Sequence, residues 1–230
     1  IMDLMDNYLL GIDLGTSGLK VAVLDDNGRL LASAGKEYAI DSPHPGWAEQ
    51  GPHVWYEAAC LTVRQVLADA GLGAEQVEAV GLAGQMHSLV CLDERGAAVR
   101  PAILWADQRS KVQVDRVTGQ LGREKLAACA GNPIAAGFAL SSWLWLLENE
   151  PETIRRTRWL MQPKDFLRFR FTGVIGSEPS DASATLLFDP HSRAWSPALL
   201  EIAHLSADQM PPLGASAEIC GWLTPQAAAD

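Results

Sequence analysis

Two strand-forming runs around a short turn of glycines and hydroxyls constrain this chain most. Tyr8-Leu9-Leu10-Gly11-Ile12-Asp13 reads as a strand that breaks into Gly15-Thr16-Ser17-Gly18, and residues 19–24, with Val21 and Val23, read as its return. Asp25-Asp26-Asn27-Gly28 then supplies residues tolerant of left-handed backbone for a tight turn into a third run over residues 29–40. The chain therefore opens as an antiparallel three-stranded meander. From residue 51 to 71 the spacing becomes helical, with Val54, Ala58, Leu61, Val66 and Leu67 as the apolar stripe.

Further strands are expected at residues 77–82, 87–92 and 102–105, with Asp93-Glu94-Arg95-Gly96 turning the chain between the last two. Helices are expected at about 108–121, 123–129 and 141–148, where Pro151 stops the last, and at 163–171, with proline in its first turn and Gly173 after its end. Strands first and β–α alternation afterwards predict an α/β fold with a mixed central sheet and helices on its faces, and argue against an all-β sandwich or a helix bundle. No repeat or low-complexity linker marks a seam, so one domain is favoured.

Charge narrows the partners. Against 18 Lys and Arg stand 28 Asp and Glu, a net charge of −10, which leaves no cationic excess for a phosphate backbone or an anionic lipid surface. A nucleic acid or a membrane is not expected as partner; a small molecule is. Cys60, Cys91, Cys129 and Cys220 lie far apart and form no CxxC pair, so they read as reduced thiols of a cytoplasmic protein. The first seven residues carry two acids and no cationic region, and read as neither a signal peptide nor a membrane span. Beyond Asp189 the segments shorten and fade without a closing apolar element, which suggests the first part of something longer.

Three clusters carry candidate chemistry. In Asp13-Leu14-Gly15-Thr16-Ser17-Gly18-Leu19-Lys20, glycines permit close backbone approach, successive N–H groups can form an anion nest, and Thr16, Ser17 and Lys20 add donors suited to phosphate. Asp13 stands where it could hold Mg²⁺ through water. The same residues also make an ordinary hairpin, since neither a Walker loop nor GxGxxG is present. Gly84-Gln85-Met86-His87 presents an amide and an imidazole suited to a polyol, although a lone histidine after a strand is more often structural. Trp105-Ala106-Asp107-Gln108-Arg109 offers an indole, a carboxylate and a guanidinium, while Asp107 also suits the N-cap of the next helix and an Asp–Arg pair at this spacing is commonly structural; both roles can coexist. There is no HExxH, GxSxG or EF-hand loop.

Taken in order, these clusters resemble the amino-terminal half of the FGGY carbohydrate kinases, the xylulokinases most closely. His44-Pro45-Gly46-Trp47-Ala48-Glu49-Gln50 with Trp55, Arg100-Pro101-Ala102-Ile103-Leu104, Pro163-Lys164-Asp165-Phe166-Leu167-Arg168 and Ser180-Asp181-Ala182-Ser183 complete the series. The resemblance implies an actin-like ATPase fold of ribonuclease H type, with two domains around a cleft that takes ATP, Mg²⁺ and a ketose. Residues 8–226 would form the sugar-binding, phosphate-loop domain, and a carboxy-terminal ATP-binding domain would be absent from the chain. Gly15, Thr16, Ser17 and Lys20 would then face the phosphates, and Asp13 would be the acidic residue near the metal. Met86 and His87 match the pair lining the sugar pocket in xylulokinases, where glycerol kinases carry Arg and Glu; Gln85, Trp105, Asp107 and Arg109 are further candidates for the pocket or for the residues directly behind it. The implied reaction of the whole protein is ATP-dependent phosphorylation of D-xylulose to D-xylulose 5-phosphate. The family's catalytic base, an Asp in a GGGD-like motif, would lie beyond Asp230, so these 230 residues alone are expected to be inactive. A kinase for ribulose, gluconate or glycerol, and a non-metabolic ATPase of actin or heat-shock chaperone type, are the alternatives; a homodimer is compatible with the resemblance.

Overall fold

In a computed structural model, which describes residues 7–230, β1 (Tyr8–Leu14), β2 (Gly18–Leu24) and β3 (Leu30–Glu37) form the expected meander, with Leu10 opposite Val23 and Ile12 opposite Val21. The reading of the amino terminus as neither signal peptide nor membrane span falls almost wholly on residues 1–6, outside the described ones. Among the described residues no helix is long and apolar enough to cross a membrane. The third strand stops three residues short of the expected end, because Tyr38 leaves the ladder to bond the loop between β1 and β2.

After β4 (Glu49–Gln50) and α1 (His53–Ala70), the chain returns as β5 (Val77–Gly84) on the other side of β1 and parallel to it, giving the sheet order β3-β2-β1-β5. A parallel neighbour needs a crossover, and α1 supplies it. The helix ends as expected at Gly71, whose φ of +69° lets its N–H reach the carbonyls of Leu67 and Ala68. Of its expected stripe Ala58 and Val66 are buried and Val54 and Leu67 half-buried, but Leu61 is 53% exposed, and Trp55, Ala59 and Thr62 are buried beside them. A fully buried tryptophan outweighs a leucine in deciding which face turns inward.

Strand alternation sorts the sheet's two faces. Leu10, Ile12, Leu14, Leu19, Val21 and Val23 are buried against α1 and α6, while Leu9, Asp13 and Lys20 between them lie on the accessible face.

The remaining elements are β6 (Val90–Leu92), β7 (Ala102–Ile103), α2 (Lys111–Leu121), α3 (Arg123–Ala130), α4 (Ala139–Asn149), α5 (Pro151–Arg156), β8 (Trp159–Met161), α6 (Pro163–Thr172), α7 (Pro179–Ser183), β9 (Phe188–Asp189), β10 (Ala194–Trp195), α8 (Pro197–Ile202) and α9 (Pro225–Ala229). Pairs β4–β7, β6–β8 and β9–β10 are antiparallel. The expected strands at 87–92 and 102–105 shrink to 90–92 and 102–103, since the chain around His87 and Trp105 is held in turns instead. Pro151 does more than stop α4: it occupies the first turn of α5, where its missing N–H costs nothing. Trp143, Leu140, Leu146 and Leu187 centre a second apolar cluster beneath α4 and α8.

One buried acid lies between α6 and α7. Asp165, 1% exposed, accepts a hydrogen bond from Ser177 Oγ at 2.5 Å. Burial, then the nearby carboxylate of Asp181, push it from the ordinary 3.8 up to about 7. Between about pH 4 and 7 the folded state therefore holds a proton that the unfolded chain releases, so rising pH through that window lowers stability and has no further effect through this group above it. Asp165→Asn should flatten the decline of Tm between pH 4 and 7 relative to the unaltered protein, as read by calorimetry across that range. An identical slope in both would show that Asp165 is already ionised there.

Candidate active site

The parallel pairing of β1 with β5 sets Leu14 beside Gly84, and Gln85 N–H donates to Leu14 O at 2.7 Å. The chain leaving each strand therefore emerges at the same end of the sheet, the end where open α/β sheets take their ligands. Asp13, Gly15, Thr16, Gly84, Gln85, Met86, His87 and Trp105 line a cleft of about 350 Å³ there. A larger pocket of about 650 Å³ lies between α2, α3, α4 and α8, but its walls are chiefly aliphatic and it receives none of the expected site residues.

The loop after β1 is held by its carbonyls. Tyr38 Oη donates to Gly15 O at 2.6 Å, Gln50 Nε2 to Thr16 O at 2.8 Å, and Tyr38 N–H to Ser17 O at 3.1 Å. A trans peptide points its N–H opposite its carbonyl, so the N–H groups of Thr16, Ser17 and Gly18 are turned away from this clamp. Gln50, 1% exposed, also donates to Ala39 O at 2.9 Å and accepts from Trp55 Nε1 at 3.0 Å, which uses both ends of its amide. Gly15 is obligatory, since a Cβ there would stand 2.7 Å from Gly18 O. Burial pushes the Tyr38 hydroxyl well above the usual phenol range, with Asp13 adding to the effect, so it remains a donor. Asp13 and Lys20 are register partners across β1 and β2 and share the accessible face. Ser17 and Lys20 are exposed at the loop's edge and do not line the cleft.

The opposite wall is the turn after β5. Ser88 N–H donates to Met86 O at 2.8 Å around His87, whose φ is +69°, a γ-turn geometry that a side-chain-bearing residue rarely adopts. Such strain costs on the order of 1–3 kcal/mol and persists only where the surroundings enforce it. Here His87 Nδ1 meets Ala184 O at 3.0 Å and its ring packs on Phe138 with centroids 4.1 Å apart. Gln85 is 8% exposed and its Nε2, itself buried, has no partner within the wall. Trp105 closes the cleft and joins its two walls, donating from Nε1 to Thr16 Oγ1 at 2.8 Å while Ser88 Oγ takes its backbone N–H at 3.1 Å.

Asp107 and Arg109, expected in the pocket or just behind it, do not line the cleft. Asp107 is 1% exposed; it accepts from Ala48 N–H at 2.7 Å and from Arg109 N–H and Nε at 2.9 Å. The Arg109 guanidinium reaches Glu49 at 2.7 Å and lies 3.5 Å from the Trp47 ring centroid. With every strong hydrogen-bonding direction of the carboxylate used internally, the pair fastens the segment around Trp47 to the start of α2. Conversely, the clamp formed by Tyr38 and Gln50 was not legible as such. Tyr38 read only as part of an apolar run, and Gln50 carried a resemblance but no spacing signal, because its partners lie 11 and 34 residues away.

Over residues 8–230 the chain matches the N-terminal domain of the FGGY family of carbohydrate kinases. It is 37% identical over 219 residues to the xylulose kinase of Escherichia coli strain K12, and 37% identical over 222 residues to that of Bacillus subtilis strain 168. These alignments cover 95% and 96% of this chain and 44% of each relative, so the chain spans less than half the length of the curated relatives it matches. The crystal structure of a xyloylose kinase from Brucella ovis superposes with a TM-score of 0.90 at 34% identity, covering 97% of this chain and 46% of that one. The xylulose kinase structure from Rhodospirillum rubrum, 24% identical, shares the fold with a TM-score of 0.91 over 97% of this chain and 46% of that one. The mixed sheet with its crossover helix is thus the actin-like α/β fold that the resemblance implied, and with the match running through both walls of the cleft, the chain belongs to the FGGY family of carbohydrate kinases as its N-terminal domain.

Proposed function

We propose that this chain is the sugar-binding and phosphate-loop half of an ATP-dependent ketose kinase whose substrate is D-xylulose. The observation that carries the reading is the 2.8 Å bond from Trp105 to Thr16, which joins a wall suited to phosphate and a wall suited to hydroxyls in one cleft. The relatives above 30% identity named for xylulose, and Met86 with His87 in place of the Arg and Glu of glycerol kinases, support the sugar.

The residues fit the groups the reaction needs. The loop from Gly15 to Gly18, its carbonyls turned back by Tyr38 and Gln50, presents N–H groups and the Thr16 and Ser17 hydroxyls to the β and γ phosphates, with Lys20 adding positive charge at its edge. Among the described residues no three acids, histidines or cysteines gather to cage a metal. A single carboxylate suits Mg²⁺, which keeps several waters and takes its other ligands from phosphates, and Asp13 is the group on the accessible sheet face beside the loop that would hold it. When bound, Mg²⁺ would offset the charge on the transferring phosphoryl group. Gln85 Nε2 donates to one sugar hydroxyl and His87 accepts from another, while Met86 and the Trp105 face cover the carbon skeleton. Residues 8–226 act as one unit in this reading. The proton acceptor and the adenine site belong to the second domain, so placement of the two substrates by this half supplies much of the rate only when both halves are joined.

The direct test is sugar-stimulated ADP release by the full-length protein, with sugar phosphate detected in the same reaction, comparing D-xylulose with ribulose, gluconate and glycerol. Hydrolysis of ATP without sugar stimulation would favour the chaperone or actin type of ATPase instead. Asp13→Asn should lower kcat by about 100-fold or more, the scale of losing one electrostatic contact to developing charge, with sugar KM and Tm little changed because Asp13 is exposed. Retained kcat would remove Asp13 from the metal site. Tyr38→Phe deletes only the hydroxyl that holds Gly15 O. It should raise ATP KM by roughly 2- to 10-fold, the equivalent of one hydrogen bond, and leave sugar KM where it was; a shift in sugar KM alone would contradict the clamp.

A further inference from the structure

Lys164 is the second residue of α6, with its side chain 13% exposed, and it touches two separate supports of the cleft wall. Its stem packs under the end of β5: a Cβ at Gly84 would stand 3.2 Å from Lys164 Cβ, immediately before Gln85-Met86-His87. Its ammonium stands 2.6 Å from Glu178 Oε1 and 3.4 Å from Asp181 Oδ2. Both acids sit at the start of α7, where Glu178 is the N-cap and accepts the N–H groups of Ser180 and Asp181 at 2.8 and 3.0 Å. Ser216 Oγ also donates to Glu178, tying the helix start to the following chain.

The other end of α7 meets the site. Ala184, its C-cap, presents the carbonyl that His87 Nδ1 contacts at 3.0 Å. A carbonyl can only accept, so Nδ1 carries the proton, and in the neutral ring Nε2 is left as the lone-pair nitrogen. The γ-turn at His87 does not hold this orientation by itself, because its backbone conformation is strained. Electrostatics agree with the geometry at Glu178, the closer partner; at Asp181 burial outweighs Lys164 and pushes the carboxyl up, so Glu178 is the principal hold. Burial opposes the ammonium of Lys164, yet Asp181 and Glu178 outweigh it and raise its pKa; burial likewise opposes the Glu178 carboxylate, yet Lys164 and the Ser180 and Ser216 hydroxyls hold it well below the usual carboxylate range.

We propose that Lys164 is a positioning residue for the sugar site: by holding Glu178 and Asp181 it places α7 so that Ala184 O fixes the His87 ring with Nε2 as the acceptor of a sugar hydroxyl. This assignment rests on the reading of the cleft as a sugar kinase site. It concerns a lysine that does not itself line the cleft.

Two readouts separate the link from that reading. The first is the imidazole ¹⁵N spectrum of His87 in the full-length protein, without sugar or nucleotide and at a pH where histidine is neutral, with a His87→Asn sample identifying the signal. The unaltered protein should show a protonated Nδ1 and a bare Nε2, Lys164→Met a mixture of tautomers, and Lys164→Arg a return toward the original spectrum. The second is kinetic: Lys164→Met should raise sugar KM roughly 3- to 10-fold, the equivalent of one weakened hydrogen bond, with ATP KM unchanged, and Lys164→Arg should recover most of it. Glu178→Gln keeps a capping oxygen and loses the ion pair; it should reproduce Lys164→Met and serves if that variant does not fold. A folded Lys164→Met or Glu178→Gln protein with the original His87 spectrum and sugar KM would overturn the proposal, as would a protonated Nε2 in the unaltered protein. Absence of sugar-stimulated ADP release in the unaltered protein would sink the kinase reading instead, and the spectra would still decide the link.

Discussion

Everything in the cleft depends on β5 pairing parallel to β1. In that register Leu14 and Gly84 are neighbours, and the two loops that follow them must share one end of the sheet. An antiparallel return would have placed Gln85, Met86 and His87 at the opposite end, about seven residues of strand, or roughly 23 Å, away. The crossover by α1 makes the parallel return possible, and burial of Trp55 against Phe166 and the sheet residues makes it favourable. Fold and site are thus one constraint: the helix that buries the core face also decides which loops meet.

Within that frame, buried polar groups supply precision. The Gln50 amide, the Tyr38 hydroxyl and the Trp105 indole each satisfy a specific carbonyl or hydroxyl of the loop after β1. On the far side, Glu49, Asp107, Arg109 and Arg100 form an ion-pair network whose side chains are at most 9% exposed. Such networks gain little net stability, since desolvation offsets attraction, but losing one member leaves an unpaired buried charge at a cost of about 3–5 kcal/mol. They tie the segment that carries Trp47 and Gln50 to the one that carries Trp105. The strained His87 is the counterpart: one residue held off its preferred backbone geometry by contacts from another part of the chain.

The opening meander, α1 with its Gly71 stop, and the proline-started α6 were legible because their signals are local: strand-forming runs, turn residues and helix punctuation act within a few positions. Thr16, Gln85, Met86, His87 and Trp105 were legible as candidates and do converge in the cleft. For Asp107 and Arg109 the sequence left a pocket role and a structural pair both open, because a carboxylate and a guanidinium after a strand look the same whether they face a ligand or each other; the positions of Ala48, Glu49 and Trp47 pair them with each other. In α1 the expected stripe held at Ala58 and Val66 but missed Trp55 and wrongly included Leu61, since packing on the sheet selected the face with Trp55.

By itself the sequence determined the strand order along the chain, the turn chemistry at Gly15 and Gly28, the acidic balance, and the series of motifs that marks the family, because each is written in residue type and short spacing. Only the tertiary structure decided which groups act together. The clamp of Tyr38 and Gln50 on the loop, the bond from Trp105 to Thr16, and the path from Lys164 through α7 to His87 all join residues 11 to 97 positions apart. At such separations, pairing is set by how the sheet and helices pack rather than by any pattern along the chain, and hydrogen bonds a few tenths of an ångström from optimal length exist only once that packing is complete.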